Sequence, residues 1–193
     1  MRQLLAALLA LAPTLAAAET VTEPRSGVTF DKKRGDMSLT GVGLRTKTFL
    51  KVKVYAIGLY VSDAALAGPL QAERGRPKSP GFYQDLVSGD TPRAIQMKFV
   101  RDLSADQIRG AFREVLQKAG KARVDEFVSY FGDLASGSEC VLEWAPGGVL
   151  KTTVAGAQKP DIPDRPFASA VFGIWLGEKP IQDDLKADLG KLF

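Results

Sequence analysis

The chain has 193 residues, with 26 Lys and Arg against 22 Asp and Glu, one cysteine and no histidine. Without histidine a Ser-His-Asp or Cys-His catalytic site, a His-ligated zinc and a His-ligated haem are all excluded. The small basic excess is scattered along the chain and argues against a nucleic-acid partner.

The first stretch, MRQLLAALLALAPTLAAAET, has Arg2, an apolar run over residues 4–15 and an Ala16-x-Ala18 end, the pattern of a cleaved secretory signal covering residues 1–18. The run is too short to span a bilayer, so no stable membrane insertion is expected. The compact, bacterial-looking signal implies a periplasmic product. Taking 18 from 193 leaves 175 residues, enough for a single domain over residues 19–193 whose core needs no disulfide or metal staple. Without Arg2, 25 basic residues face 22 acidic ones.

Residues 37–62, MSLTGVGLRTKTFLKVKVYAIGLYVS, are rich in Val, Thr, Leu and Tyr, and Lys51 and Lys53 alternate with Val52 and Val54. That period of two predicts a pair of antiparallel strands turning near Leu50. DAALAGPLQAERGRPKSPG then reads as a short helical piece followed by a Gly/Pro-rich loop, the expected flexible segment, with residues 73–81 a candidate gate. RAIQMKFVR, residues 93–101, alternates Ile95, Met97 and Phe99 with longer polar residues as another strand.

Ser104 and Gln107 have the spacing of a capping box, and the helix they start carries Ile108, Phe112, Val115 and Leu116 on one face before Gly120 stops it. A second helix in ARVDEFVSYFGDL buries Val124, Phe127, Val128 and Phe131. SECVLEWA and GVLKTTVAG form a hairpin at Pro146-Gly147-Gly148, with Cys140 read as a small buried hydrophobe. Pro166 suits a helix start; Val171, Ile174 and Trp175 share a face; Gly177 and Pro180 end that helix, and IQDDLKADLGKLF makes a terminal one. DKKRGD and IQDDLKAD lack the ligand spacing of an EF-hand loop and read as solvated surface, so neither metal nor cofactor is expected.

This order of elements does not alternate as βαβ units do. It predicts an α+β fold with a large, mainly antiparallel sheet covered by helices on one face.

A turn centred on Leu50 places residues whose numbers sum to one hundred opposite each other, hence Arg45 opposite Tyr55. One guanidinium and one phenol would then share the layer between sheet and helices, and the guanidinium needs a carboxylate or a ligand anion there. The residues alone leave two readings open: a donor pair for a carboxylate or an enolate, or an arginine at a wet strand edge or paired with Glu143.

GVGLRTKTFLKVKVYAIGLYV, FYQDLVSG, MKFVRDLS and FASAVFGIWLGEKPIQDDLK, in this order, resemble the chalcone isomerase-like family along most of residues 19–193. The resemblance implies an open-faced β-sandwich and puts Arg45 at the arginine with which plant isomerases bind the substrate phenolate and polarise its enone. Their other polar positions do not carry over. A threonine is matched by Tyr55, the helix tyrosine by Ile108, the helix asparagine by Val115, the strand lysine by Phe99 and a late-helix Thr or Ser by Ile174. Losing those donors weakens oxyanion stabilisation by several kcal/mol, roughly.

The pattern is instead similar to the plastid fatty-acid-binding branch, where arginine and tyrosine clamp a carboxylate and apolar residues surround an acyl chain. The expectation is a monomeric, non-catalytic binder of a fatty acid or similar amphiphilic carboxylate, held by Arg45, Tyr55, Phe99, Ile108, Val115 and Ile174. The alternatives are an intramolecular lyase of chalcone isomerase type, with Arg45 as electrophile and Tyr55 as proton donor, and a tetrapyrrole site with Tyr, Met or Cys on iron and Arg45 on the propionates.

Overall fold

Seven antiparallel strands, hydrogen-bonded in chain order, form the sheet in the computed structural model, which describes residues 18–47 and 50–193. They are β3 (Lys33–Arg34), β4 (Met37–Lys47), β5 (Val52–Ser62), β6 (Arg93–Phe99), β7 (Glu139–Ala145), β8 (Val149–Val154) and β9 (Ala157–Gln158). A hairpin of β1 (Thr20–Thr22) and β2 (Thr29–Asp31) precedes them. The expected signal falls on residues 1–18; all of it but Ala18 lies outside the described residues.

Ile57, Leu59 and Val61 on β5, Ile95 and Met97 on β6, and Leu142 and Trp144 on β7 are buried on one sheet face. Helices bury side chains there: α1 (Asp63–Ala67), α2 (Pro80–Ser88), α3 (Ala105–Val115), α4 (Lys121–Ser129) and α5 (Arg165–Leu176). The sixth, α6 (Asp183–Asp188), adds Leu185. Local signals start several of them. Ser104 and Gln107 make the reciprocal capping box of α3, and Asp164 caps α5, whose first turn holds Pro166.

The opposite face is partly covered by an element with no sequence expectation behind it. Phe30 of β2 packs on Met37, Leu39, Ala56 and Tyr60 across the sheet. Gly58 makes the room, because a Cβ there would stand 2.9 Å from the Phe30 ring.

Three further expectations are corrected. The terminal helix covers only residues 183–188, because Leu189 begins a turn that carries the chain along β4. Val115 does not belong to a buried face; it is 41% exposed, while Leu116 beside it is buried. The Gly/Pro segment at 73–81 is tied down rather than loose and lines no part of the cleft described below: Lys78 donates to Glu73 O, Arg76 O and Phe193 O, and Glu73 binds the Ser79 amide at 3.0 Å. Pro80 then starts α2.

Beyond its short pairing with β3, the outer edge of β4 is covered by the C-terminal segment, which keeps its backbone from pairing with another chain. Gly41 and Gly43 permit the approach, since a Cβ at either would collide with Asp188, Leu189 or Leu185. Thr40 Oγ1 donates to Leu189 O at 3.0 Å, and the Leu192 amide donates to Thr40 O at 2.8 Å. This closure sets the wall of the site.

Candidate functional site

β4 and β5 pair Leu44 with Ala56 and Arg45 with Tyr55, the register read from the turn, and a β-bulge follows between Arg45 and Thr46. The bulge ends the regular ladder at the arginine and increases the local twist. On the next strand Phe99 pairs with Tyr55, their rings edge to face with centroids 5.7 Å apart.

Above this end of the sheet, α3 and α5 stand apart and leave a cleft of about 410 Å³. All six residues expected at the site line it: Arg45, Tyr55 and Phe99 from the sheet, Ile108 and Val115 from α3, and Ile174 from α5. α3 contributes Ile108, Ala111, Phe112 and Val115, the i, i+3, i+4, i+7 stripe of one helix face. Met97, Val52, Val54 and Ile181 complete an apolar wall; Lys47, Arg101 and Glu114 are exposed at its rim.

Arg45 does not pair with Glu143 or with any other carboxylate among the described residues. Its Nη1 donates to Thr46 O at 2.8 Å, Ile181 O at 3.3 Å and Gln182 Oε1 at 3.2 Å. Neutral acceptors thus hold one end of the guanidinium. Nε and Nη2 are left as donors with a positive charge that no anion among the described residues answers.

Gln182 was not singled out from the sequence. Besides accepting from Arg45, its Oε1 accepts from the Thr46 amide at 3.1 Å and its Nε2 donates to Leu44 O at 3.3 Å, so its side chain replaces a missing strand partner at the bulge. Only the return of the C-terminal segment along β4 brings it there. Trp175, on the α5 face it shares with Val171 and Ile174, is buried in the core, and its Nε1 donates to Tyr55 Oη at 2.9 Å.

That bond uses an oxygen lone pair of Tyr55 and leaves its O–H free to donate. Burial pushes the Tyr55 pKa up to about 12, against the Trp175 hydrogen bond and the Arg45 charge, which pull it down. At neutral pH Tyr55 is therefore a phenol. It donates a hydrogen bond, and it is a poor general base and a poor anionic ligand for iron. Burial likewise raises the Cys140 thiol well above its ordinary range, which removes it as a nucleophile. The cleft thus has two donors, one cationic, at one end of an apolar wall.

The model of the chalcone isomerase-like family matches residues 19–190. The chain belongs to the chalcone isomerase-like family. A relative named chalcone isomerase-like protein 1 from Humulus lupulus is 31% identical over 175 residues, covering 81% of this chain and 82% of that protein. A chalcone–flavanone isomerase from Phaseolus vulgaris is 24% identical over 164 residues, covering 72% of this chain and 73% of that protein. The crystal structure of a fatty-acid-binding protein from Arabidopsis thaliana superposes with a TM-score of 0.77 at 24% identity, over 90% of this chain and 96% of that one. These likenesses establish the α+β chalcone isomerase-like fold.

Proposed function

We propose that this chalcone isomerase-like protein binds a fatty acid or a similar apolar carboxylate without transforming it. The observation that carries the reading is the pairing of Arg45 and Tyr55 at the polar end of the cleft. Two guanidinium donors and one phenol hydroxyl suit the two oxygens of a carboxylate, while Phe99, Ile108, Ile174 and Met97 offer the acyl chain an apolar wall. The fold shared with a plant fatty-acid-binding protein supports the same reading.

The isomerase alternative has less support. Arg45 could polarise an enone, but the positions that carry polar groups in the plant enzymes are Phe99, Ile108, Val115 and Ile174 here, and Tyr55 keeps its proton. The proposal includes a monomeric, periplasmic product. The support for export is the apolar leader and a family match that starts at residue 19, next to the expected cleavage point.

Native mass spectrometry of protein purified from a heterologous host, with extraction of what co-purifies, tests the binding reading. A fatty acid bound to wild type is expected to be lost from Arg45→Ala, whose affinity falls roughly 10- to 100-fold, the weight of hydrogen bonds to a charged group. Cyclisation of a chalcone well above the uncatalysed rate would overturn it.

A further inference from the structure

Three large apolar side chains are exposed among the described residues; one of them lines the cleft and a second lies two residues before a cleft-lining one. Val115, 41% exposed, lines the cleft from the last turn of α3. Leu50, 69% exposed, sits at the turn of the β4–β5 hairpin, just beyond Lys47 and Val52, the last pair of that ladder and themselves part of the cleft wall. The third, Leu192, is near the C-terminus and lines another groove.

The charges around the two are mostly of one sign. Lys47 and Arg101 are exposed on the rim, Lys51 follows Leu50 in the turn, and none of the three enters an ion pair among the described residues. Glu114 is the one acidic group on the rim. Lys51 holds a left-handed backbone, φ 51°. Apolar tips ringed by cations are the composition that enters a bilayer interface, with lysine and arginine drawn to anionic headgroups within a Debye length.

We propose that Leu50 and Lys51, with Val115 at the end of α3, dock the cleft mouth on an anionic lipid bilayer, from which the cleft takes its ligand directly. This rests on the binding reading above and adds the source of the ligand. The docking is peripheral: among the described residues no helix is long and apolar enough to cross a membrane.

The test compares the full chain with the double variant Leu50→Asp/Lys51→Glu, neither position lining the cleft. Co-sedimentation uses vesicles of phosphatidylcholine alone and of phosphatidylcholine with 30% phosphatidylglycerol, by weight roughly the anionic content that makes surface attraction measurable. Wild type is expected to favour the anionic vesicles and the variant to lose about tenfold in partitioning. Transfer of a fluorescent fatty acid out of anionic vesicles should accelerate with vesicle concentration for wild type and lose that dependence in the variant, while affinity for the same fatty acid added from solution stays equal.

Equal partitioning of wild type and variant would place any membrane binding elsewhere, in the N-terminal apolar run for example, and overturn the proposal. So would transfer independent of vesicle concentration, or a wild-type dimer that the variant abolishes, which would make the tip a self-association surface. If neither protein binds fatty acid from solution, the binding reading fails, whereas preserved solution binding with unchanged vesicle behaviour sinks only the docking.

Discussion

β6 has an arginine at one end and the cleft at the other. Arg93 is fully buried at the start of the strand, its guanidinium carbon 3.8 Å from the centroid of the Trp144 ring and 4.8 Å from that of Phe172. Its Nη1 donates to Gly89 O at 3.1 Å and Thr91 O at 2.6 Å. Burial draws its pKa down to about 9 against the help of Asp85 and Asp90, and the ring faces and carbonyls answer the charge in place of water. It faces no part of the cleft. Six residues along the chain, Phe99 pairs with Tyr55 beside Arg45. Both arginines use Nη1 on backbone carbonyls, yet only Arg45 keeps donors next to open space. A guanidinium in a sheet protein becomes a site when packing stops short of it. At the Arg93 end Trp144 and Phe172 fill the layer, and at the Arg45 end Ile108, Ala111 and Ile174 leave a gap.

Removing Arg93 should be the most costly way to probe this contrast. Arg93→Ala empties the slot between the two rings and orphans two carbonyls, a loss of about 3–4 kcal/mol in chemical unfolding. Arg93→Met refills the slot without a charge and should recover most of that loss. Fatty-acid affinity of whatever stays folded should match wild type; a folded Arg93→Met protein that no longer retains ligand would show that the two ends are not separate.

Gln182→Ala acts on the other end through positioning. It deprives the Thr46 amide and Arg45 of an acceptor and Leu44 O of a donor, and is expected to destabilise by about 1–2 kcal/mol. Ligand binding should weaken with it, and Gln182→Glu should weaken carboxylate binding further, because a new anion would answer Arg45 and repel the ligand. An alanine variant with wild-type affinity would separate Gln182 from the clamp.

The smallest effect is expected at Tyr55. Tyr55→Phe removes one neutral donor and should weaken carboxylate binding about 3- to 10-fold. Its pH signature is directional. The folded phenol has a pKa raised from 10 to about 12, so the fold's preference for the neutral form is fully present below about pH 10 and is lost as pH rises through 12. The stability advantage of wild type over Tyr55→Phe, measured by urea titration, should therefore be flat from pH 6 to 9 and shrink between pH 10 and 12. A change centred near pH 7 would mean that Tyr55 titrates as a base and would reopen catalysis.

The helix caps, the period-two strands and the register of the first hairpin were legible in the residues because each depends on neighbours close in the chain. Lys51 and Lys53 alternate against Val52 and Val54, which marks the strand, but the pairs next to the turn are Thr46 with Lys53 and Lys47 with Val52, and the bulge after Arg45 shifts the ladder by one so that Arg45 meets Tyr55. The resemblance to the family then named the residues around the cleft. Distant segments decided the rest. Gly41 and Gly43 admit the C-terminal return that carries Gln182 to the bulge, and α5 delivers the Trp175 indole to the phenol. Phe30 finds its place only against Gly58, and Val115 is exposed because the cleft opens beneath it. Local alternation and caps follow from steric and hydrogen-bonding rules a few residues long. Which donors stay free, and where packing leaves a gap, depends on contacts between segments more than a hundred residues apart, as between Arg45 and Gln182, |i−j| 137, and these exist only once the sheet and its helices have assembled.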